Sequence, residues 1–553
     1  MKNRFARRAL LGLSLITVSA YLASACSATG NKTTGGGGEG GDDTSGPGTG
    51  GDGGNVFVGA GGGGNGGPGG DPKTCDEAAM YRTYIGCDFW PTVVANNVWS
   101  VFDYAVVVAN AGDQPAEVTV TRGAQSISTT TVDPNSLAKI YLPWVPNLKG
   151  PDADACGAAT PLAATVREID GAYHLISTKP VTVYQFNALE YAPQGGPAGK
   201  NWSSCPAQQC FNECFSYSND ASLLLPSTAM TGNYRITSQQ GWVAANIGAY
   251  FAITGTADGT SVQVKVSGKG DLSAGGGVPA TGPNGLAQFS INRGEVVELV
   301  FDPSSDPAGS LVYADKPVQV ISGLPCMQMP IGTSACDHIE ETVLPAETLG
   351  KHYFVVPPTS PKGGTAGHVV RIYGNVDGTQ LSYPGGNPPN APLSINAGQV
   401  FELGVVKTPF EVLGDHEFAV GSFQLGAEIV DPGAAQQAKG DPAQSNVIAV
   451  EQFRTKYVFL APNDYDISVV DIVQPMSAKI NLDGMDVAQQ PVAISSNYGI
   501  NRVTLGPGNN GAHVLLATEA VGIQVVGYGS YTSYQYPGGM NLKTIAPPPP
   551  PPN

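Results

Sequence analysis

Charged residues, and basic residues in particular, are scarce in this sequence. They make up 13% of 553 residues, against the usual ~25%, and 28 Lys and Arg against 45 Asp and Glu give a net charge of −17. Nucleic-acid-binding domains need basic patches, and coiled coils are about half Ala, Glu, Lys, Leu and Arg. The composition therefore excludes a general polyanion binder and a coiled coil, and it disfavours docking on anionic lipid.

Long apolar runs are missing beyond the first residues. No run of 18 apolar residues follows Cys26, so we predict no transmembrane helix. Four basic residues and an apolar stretch up to about Leu22 identify residues 1–25 as an export signal. Ala23-Ser24-Ala25-Cys26 resembles a bacterial lipobox and predicts lipidation of Cys26, with ordinary cleavage and a free thiol as the alternative. Losing the four positive charges would change the net charge from −17 to −21.

Known catalytic and metal-binding motifs are missing as well. The sequence has no G-x-S-x-G elbow, H-E-x-x-H helix, P-loop, G-x-G-x-x-G turn or EF-hand loop. The best acidic cluster is Asp337-His338-Ile339-Glu340-Glu341. Strand alternation places His338 and Glu340 on the face opposite the others, and we interpret the cluster as a solvated segment beside a disulfide. We predict no enzyme activity, no cofactor and no metal.

The cysteine count is odd, which an exported chain has to explain. Lipidation of Cys26 would leave eight cysteines for disulfides in an oxidising compartment: Cys75, Cys87, Cys156, Cys205, Cys210, Cys214, Cys326 and Cys336. Short separations favour Cys75–Cys87 and Cys326–Cys336, and the other four would form two further bridges whose pairing stays open. A zinc site at Cys205, Cys210 and Cys214 is disfavoured because no histidine is close.

Glycine is abundant in one segment, with 22 among the 44 residues of 27–70. Such a segment cannot bury enough apolar surface to offset its ordering entropy, so we predict a disordered stalk that spans about 35–40 Å. At the other end, Pro547–Pro552 predicts an extended polyproline stretch, most simply a solvated end.

The remainder predicts an all-β fold that repeats. Short runs rich in Val, Ile, Tyr and Thr are bounded by turn residues, and Asp-Gly turns recur at Asp258, Asp377 and Asp483. We expect about four tandem β-sandwich-like units of roughly 100 residues, with a propeller as the alternative. The predicted segments are 1–25 signal, 26–74 anchor and stalk, 75–215, 216–336, 337–440 and 441–540 β units, and 541–553 a Pro-rich tail.

Aromatic residues are the candidate ligand contacts, because Tyr and Trp give large contact area at low entropy cost. The alternative is that they fill the core. The binding candidates are Trp90, Trp99, Trp144, Tyr528, Tyr531, Tyr534 and Tyr536.

Three phrases carry a family resemblance. The stretch from Cys214 to Thr237, which contains SNDASLLLP, resembles the N-terminal domain of the IgGFc-binding proteins, including bacterial, myxobacterial-type lipoproteins. YIGCDFWPT from Tyr84 and VVGYGSYTSYQYPGGMNL near the end look like the same family. The resemblance covers about residues 75–540. It implies an extracellular interaction module, without implying antibody binding, and brings no catalytic residues.

We therefore predict a cell-surface lipoprotein that serves adhesion or ligand binding through its β units. Its partners would be the bilayer, through the lipid, and an unknown protein or glycan ligand at the cell surface or matrix, but no nucleic acid. Anchoring at the outer membrane or cell surface follows from the signal and the lipobox. The alternatives are a secreted hydrolase or carbohydrate-active protein and a structural envelope protein.

Overall fold

A computed structural model describes residues 71–206, 210, 214–433 and 438–552. Of the residues, 44% are in strands and 6% are in helices, so the prediction of an all-β fold is confirmed. The predicted signal, Cys26 and the glycine-rich segment 27–70 lie outside the described residues. Within the described ranges, every helix is too short to cross a membrane.

Module 1 contains seven of the first eight strands. It opens with helix α1 (Cys75–Tyr81), whose first turn is capped by the Thr74 hydroxyl, which accepts a hydrogen bond from the Glu77 N–H at 3.2 Å. The elements that follow are β1 (Gly86–Phe89), β2 (Tyr104–Asn110), β3 (Ala116–Arg122), β4 (Gln125–Val132), β5 (Ser136–Leu142), α2 (Pro146–Lys149), β6 (Val166–Glu168), β7 (His174–Phe186) and β8 (Ala221–Leu223). Strand β6 pairs with β13 of the next module.

Modules 2 and 3 each consist of two sheets around one core cluster. Module 2 contains β9 (Asn233–Arg235), β10 (Tyr250–Gly255), β11 (Thr260–Lys265), β12 (Leu286–Ile291), β13 (Val296–Val300), β14 (Leu311–Ala314), β15 (Val318–Met327) and β16 (Asp337–Thr342). Module 3 contains β17 (His352–Val355), β18 (His368–Gly374), β19 (Thr379–Ser382), β20 (Ser394–Ile395), β21 (Val400–Val406), β22 (Phe410–Gly414), β23 (Phe418–Gln424) and β24 (Gln444–Asn446), with helix α3 (Ala427–Val430) before β24.

Module 4 completes the chain. Its strands are β25 (Arg454–Leu460), β26 (Ile467–Pro475), β27 (Ile480–Leu482), β28 (Met485–Asp486), β29 (Val492–Ala493), β30 (Tyr498–Thr504), β31 (Ala512–Gly529) and β32 (Thr532–Pro537). Asp483 and Gly484 join β27 to β28 with φ values of 51° and 81°. Two consecutive positive φ values define the turn that the Asp-Gly pair predicts.

The same strand order recurs in the four modules. In modules 1 to 4 in turn, the strand order of the first layer is β4-β3-β7, β12-β11-β14-β9, β20-β19-β22-β17 and β28-β27-β31-β25. The strand order of the second layer, again in modules 1 to 4, is β5-β2-β7-β8, β13-β10-β15-β16, β21-β18-β23-β24 and β30-β26-β31-β32. In modules 1 and 4 one long strand serves both layers, whereas modules 2 and 3 divide it into two strands. Lys179-Pro180 and Lys316-Pro317 lie at this crossing, where proline's missing N–H disturbs the ladder least.

The last strands of the modules meet in a ring. Strand β8 contacts β16 and β32, and β24 also contacts β16 and β32. Each of these four strands pairs with the strand that precedes it in sequence. Strands β8, β16 and β24 come directly after predicted unit boundaries, and β32 lies near the end of the last predicted unit. The boundaries themselves stay a prediction. The ring brings the first and last modules together, so residues far apart in sequence share one centre.

The proline-rich tail is partly packed. The N–H groups of Ile545 and Ala546 donate to the Glu347 carbonyl at 2.8 and 3.0 Å. Ala546 and Pro549 are buried, whereas the residues between them are exposed. This spacing of three residues is the period of a polyproline II helix.

Candidate functional site

The Asp220 carboxylate lies at the centre of the strand ring, immediately before β8. It accepts one backbone hydrogen bond from each of the four ring strands. The donors are Ala221 (2.9 Å) and Gln535 (3.4 Å) to Oδ1, and Glu340 (3.0 Å) and Gln444 (3.0 Å) to Oδ2. Burial raises the pKa of Asp220 well above its usual range, and the N–H donors act in the opposite direction. One side chain thus links all four modules.

The acidic cluster that we interpreted as solvated is instead buried at this centre, with Asp337, His338 and Glu340 all at 0% exposure. The interpretation was wrong because β16 is enclosed by β15, β8 and β24. Glu340 is fully partnered: it accepts hydrogen bonds from Gln185 (3.2 Å), Ser222 (3.1 Å) and Asn187 (2.6 Å), and its Oε2 lies 3.2 Å from His338 Nε2.

Asp337, on β16, connects the centre to the turn between β31 and β32. Its Oδ2 accepts hydrogen bonds from the Thr532 hydroxyl at 3.0 Å and the Ser533 N–H at 3.3 Å. The Thr532 hydroxyl in turn accepts from the Asn219 N–H at 3.0 Å. One hydroxyl therefore links the positions of Asn219 and Thr532. Thr532 directly follows Tyr531, and Asn219 is two residues after Tyr217.

Most of the predicted binding aromatics are buried. Trp90, Trp99 and Tyr528 are at most 3% exposed, and Tyr534 and Tyr536 are at 0%. Their polar atoms have partners inside the protein, as with Tyr528 OH on the Thr359 carbonyl at 2.5 Å and Tyr536 OH on the Leu460 carbonyl at 2.7 Å. Trp144 and Tyr531 are half-buried. The structure does not test ligand binding by any of these residues, so their roles stay a prediction.

Tyr531 forms a pair with Tyr217. The two residues come from modules 4 and 1, and their ring centroids are 6.2 Å apart. Both have positive φ values, 50° and 52°. A bulky residue in the left-handed region costs about 1–2 kcal/mol and persists where the surrounding structure holds it, often at functional sites.

The tyrosine pair belongs to a larger aromatic patch, which we define as the half-buried residues Trp144, Trp202, Phe215, Tyr217 and Tyr531. Trp144, Trp202 and Tyr217 pack on a small core that contains Trp99 and Phe102. Phe215 lies 5.7 Å from Tyr217 between ring centroids. The patch therefore joins two predicted candidates, Trp144 and Tyr531, to three residues that we did not single out.

Four disulfides are present, which confirms the expectation for the eight cysteines. They are Cys75–Cys87, Cys156–Cys210, Cys205–Cys214 and Cys326–Cys336. The first and last are the two bridges favoured by short spacing. Cys205 and Cys214 lie in the core beneath the aromatic patch, so this bridge holds the segment that leads to Tyr217.

A cavity of about 30 Å³ lined by Ser422, Asp471 and Gln524 has room for about two water molecules. Substrate pockets are about ten times larger or more. Across the described residues, no group of three or more His, Cys, Asp or Glu is arranged to hold a metal ion.

The model of the family described as IgGFc binding protein matches residues 220–527, which is more than half of the chain. The chain belongs to the IgGFc-binding protein family. The matched segment begins at Asp220 and extends into β31. The human IgGFc-binding protein is 29% identical over 186 residues, which are 34% of this chain and 3% of that protein. The IgGFc-binding family and the four disulfides indicate an exported protein with an extracellular-type binding module.

Three solved structures are distant likenesses of this IgGFc-binding family member. An anti-sigma factor domain-containing protein from Clostridium clariflavum has 11% identity and a TM-score of 0.11, with 56% of this chain and 81% of that chain covered. A family 78 rhamnosidase of Bacillus sp. GL1 has 10% identity and a TM-score of 0.11, with 82% and 55% covered. Salmonella alpha-2-macroglobulin has 10% identity and a TM-score of 0.12, with 84% and 40% covered. Scores this low carry no argument about fold or function.

Sequence reasoning missed Asp220, Tyr217 and Trp202. Asp220 and Tyr217 lie in or beside the SNDASLLLP phrase on which the resemblance rests, so the phrase contained a signal. Trp202 lies in a Gly-, Pro- and Ser-rich loop between two cysteines, where a lone tryptophan with no apolar run around it was a usable signal.

Proposed function

We propose that this chain is a cell-surface binding module, anchored by lipid at Cys26, that takes a protein ligand on the aromatic patch. Support comes from the family, whose members are named as binding proteins, and from the four disulfides. The observation that carries the proposal is the Tyr217–Tyr531 pair. Two half-exposed tyrosines in strained backbone conformations, 6.2 Å apart between rings, come from the first and last modules.

The chemistry of the patch favours a protein partner. Tyrosine and tryptophan are the residues most enriched at protein–protein hot spots, since they are rigid and bury large areas. The Tyr217 ring packs on Trp99, with 6.2 Å between the two ring centroids, and the Cys205–Cys214 disulfide lies in the same small core as Trp99. A rigid surface loses little entropy on binding, so more of the contact energy appears as affinity.

Binding can be tested with the mature chain against an array of purified secreted and cell-surface proteins. IgG Fc is one of the probes because it gives its name to the family and to the human relative. We expect at least one protein to bind, with affinity reduced tenfold or more by Tyr217→Gly/Tyr531→Gly. The control is Tyr313→Ala, which alters a half-buried tyrosine of β14 in module 2. A module that binds no protein, binds only a glycan array, or binds equally well after the double substitution contradicts the proposal.

The lipid anchor has its own test. In cells grown with a labelled fatty acid, the full chain should become labelled, and it should be recovered in the membrane fraction. The Cys26→Ser variant should be neither labelled nor recovered with membranes. Recovery of the wild-type chain in the cytosol, or of an unlabelled chain in the medium, would overturn the anchor while leaving the aromatic patch untouched.

A further inference from the structure

One sheet edge of module 3 is unpaired where the matching edge of module 2 carries a strand. The phrase GEVVEL from Gly294 leads into β13, and the phrase GQVFEL from Gly398 leads into β21. Strand β13 pairs with β10 on one side and with β6, which comes from module 1, on the other. Among the described strands, β21 pairs with β18 alone. The same position of the repeat is thus filled in module 2 and open in module 3.

The open edge of β21 presents backbone hydrogen-bonding groups. The Gln399 carbonyl accepts from the last N–H of β18 at 2.9 Å, so it faces that strand. Backbone groups of an antiparallel strand alternate in direction, so the N–H and C=O groups of Val400 and Glu402 face away from β18. The Leu403 carbonyl, at a β-bulge, accepts from the Asn390 amide at 3.2 Å. The open part is therefore 400–402, the counterpart of the three residues of β13 that pair with β6.

The burial of the two edges differs accordingly. Val296 and Val297 of β13 are at 0% exposure, whereas their counterparts Val400 and Phe401 are half-buried. In module 2 the loop 266–285 lies along the far side of β6, and its Ser273 carbonyl accepts from the Thr165 hydroxyl at 2.6 Å. The corresponding loop of module 3, residues 383–393, is shorter.

The middle residue of β6, Arg167, is held by three groups of module 2. Its guanidinium donates to the Glu295 carboxylate at 2.6 Å and to the Ser290 carbonyl at 3.0 Å. It also lies 5.8 Å from the ring centroid of Phe289. We call Phe289, Ser290 and Glu295 the cradle. A carboxylate, a carbonyl and an aromatic face together suit a cation.

Module 3 contains the same cradle without its charge. The repeat aligns SINRGE from Ser290 with SINAGQ from Ser394, so Gln399 replaces Glu295 and Leu393 replaces Phe289. Leu393 is 63% exposed and lies on the same face of β20 as Ile395 of the module core. A side chain at the position of Arg167 would meet a leucine and a neutral amide, so an apolar residue fits there.

We propose that residues 400–402 of β21 dock an extended segment of a protein partner as an added antiparallel strand. The segment has an apolar side chain where β6 has Arg167. In strand addition the backbone ladder supplies affinity, and the pocket for one side chain supplies specificity. The edge belongs to module 3, so the proposal does not rest on the aromatic patch of modules 1 and 4.

The probes are two capped, fluorescently labelled peptides of residues 163–170, one with the natural sequence AATVREID and one with Arg167→Leu. Each is titrated with the mature chain and followed by fluorescence polarisation. We expect the leucine peptide to bind at least tenfold more tightly than the natural one. Failure of both peptides to bind, or equal binding of the two, overturns the proposal.

Backbone methylation of the leucine peptide tests the ladder. The Glu295 carbonyl faces β10, since it accepts from the Gly255 N–H at 3.0 Å, so the alternation directs Val296 towards Glu168 of β6. Methylation of the peptide nitrogen at position 166 or 168 should therefore reduce binding tenfold or more, whereas methylation at position 167 should be tolerated. Equal effects at all three positions contradict strand addition.

A variant of the chain tests the cradle. Leu393→Phe/Gln399→Glu restores the groups of module 2 at exposed positions, and the new carboxylate keeps the bond that Gln399 accepts from the Asn396 N–H at 3.0 Å. This variant should prefer the natural peptide over the leucine peptide, which reverses the wild-type order. An unchanged preference overturns the assignment of Leu393 and Gln399 to the site.

Hydrogen exchange locates the occupant. The amides of Val400 and Glu402 should exchange quickly in the free chain and at least tenfold more slowly with the leucine peptide bound. The Phe401 amide, which faces β18, should be protected in both states. Peptide binding without protection at Val400 and Glu402 overturns the site. Protection that rises with chain concentration in the absence of peptide would identify a second copy as the occupant and overturn the separate partner.

Discussion

The Asp220 carboxylate accepts a hydrogen bond from the Glu340 N–H at 3.0 Å, across 120 residues of sequence. The same oxygen accepts from Gln444, and the other oxygen accepts from Ala221 and Gln535. One strand from each of the four modules thus donates a backbone N–H group to this carboxylate. This arrangement makes Asp220 the residue whose replacement should affect every module at once.

Asp220→Asn should destabilise the whole chain. Asparagine keeps the shape but turns an NH₂ group towards two of the four N–H donors, and each buried donor that loses its acceptor costs about 1–3 kcal/mol. We expect a loss of about 3 kcal/mol in the free energy of unfolding, measured with urea, and weaker protection of β16, β24 and β32 in hydrogen exchange. The exposed Asp113→Asn serves as the control and should change stability by less than about 0.5 kcal/mol. A loss below about 1 kcal/mol for Asp220→Asn would show that the ring does not depend on this carboxylate.

Tyr531→Gly should leave the fold nearly as stable as the wild type. Glycine relieves about 1–2 kcal/mol of left-handed backbone strain at φ 50°, which offsets the loss of contacts by a half-buried ring. We expect a change within about 1 kcal/mol in urea unfolding.

Tyr534→Ala is the comparison for that substitution. The Tyr534 ring is fully buried and lies 4.8 Å from the Tyr465 ring between centroids, so its removal should cost about 3–5 kcal/mol. Similar losses for Tyr531→Gly and Tyr534→Ala would mean that Tyr531 is a core residue and not part of a surface held under strain.

Removal of the Cys326–Cys336 bridge should loosen module 2 next to the ring. The bridge links the end of β15 to the residue before β16 across 10 positions, and a loop of this size contributes about 2–3 kcal/mol through the unfolded chain. Cys326→Ser/Cys336→Ser should lose this amount in urea unfolding. Wild-type protein treated with a reductant provides the reference, and a non-reduced peptide map checks the pairing. A map that joins Cys326 to any other cysteine would contradict the structure.

His368 should make the protein sensitive to acid. Burial lowers the pKa of His368 to about 3, and its Nδ1 lies 2.7 Å from the Ser422 hydroxyl. A histidine with a lowered folded pKa binds its proton better in the unfolded chain, so stability falls as pH drops below about 6.5. Between pH 7 and pH 4 the wild type should lose about 3 kcal/mol more than His368→Gln, since each unit of pKa shift corresponds to about 1.4 kcal/mol. Parallel profiles for the two proteins would show that His368 does not titrate differently on unfolding.

The sequence predicted the β class and the repeating turns well because these signals are local. Asp-Gly before a β-branched run requires a left-handed turn whatever surrounds it, and Gly259, Gly378 and Gly484 indeed have φ values of 61°, 71° and 81°. Two of the four disulfides followed from short spacing for the same reason. The bridge between Cys156 and Cys210 spans 54 residues, so its pairing depends on how the loops of module 1 pack.

The candidate site was predicted less well because burial is a property of the assembled ring. Tyr528, Tyr531, Tyr534 and Tyr536 look alike in the sequence GYGSYTSYQYPGG, yet three are buried and one is half-exposed. Strand alternation alone does not separate them, because β32 has neighbours on both faces and every residue of it is buried. The acidic segment 337–341 was misinterpreted because its burial also depends on the assembled ring. Its polar residues are buried against polar partners from other strands.

The sequence by itself determined the strand-forming runs, the turns, the cysteine set and the membership of the IgGFc-binding family, because each depends on neighbouring residues or on matched phrases. The tertiary structure decided which residues meet. Closing four modules into a ring placed Asp220 against N–H groups from three later strands, and Tyr217 beside Tyr531. These contacts join residues about 120 to 315 positions apart. Strand order and ring closure create such contacts, and both depend on packing between modules that no local pattern encodes.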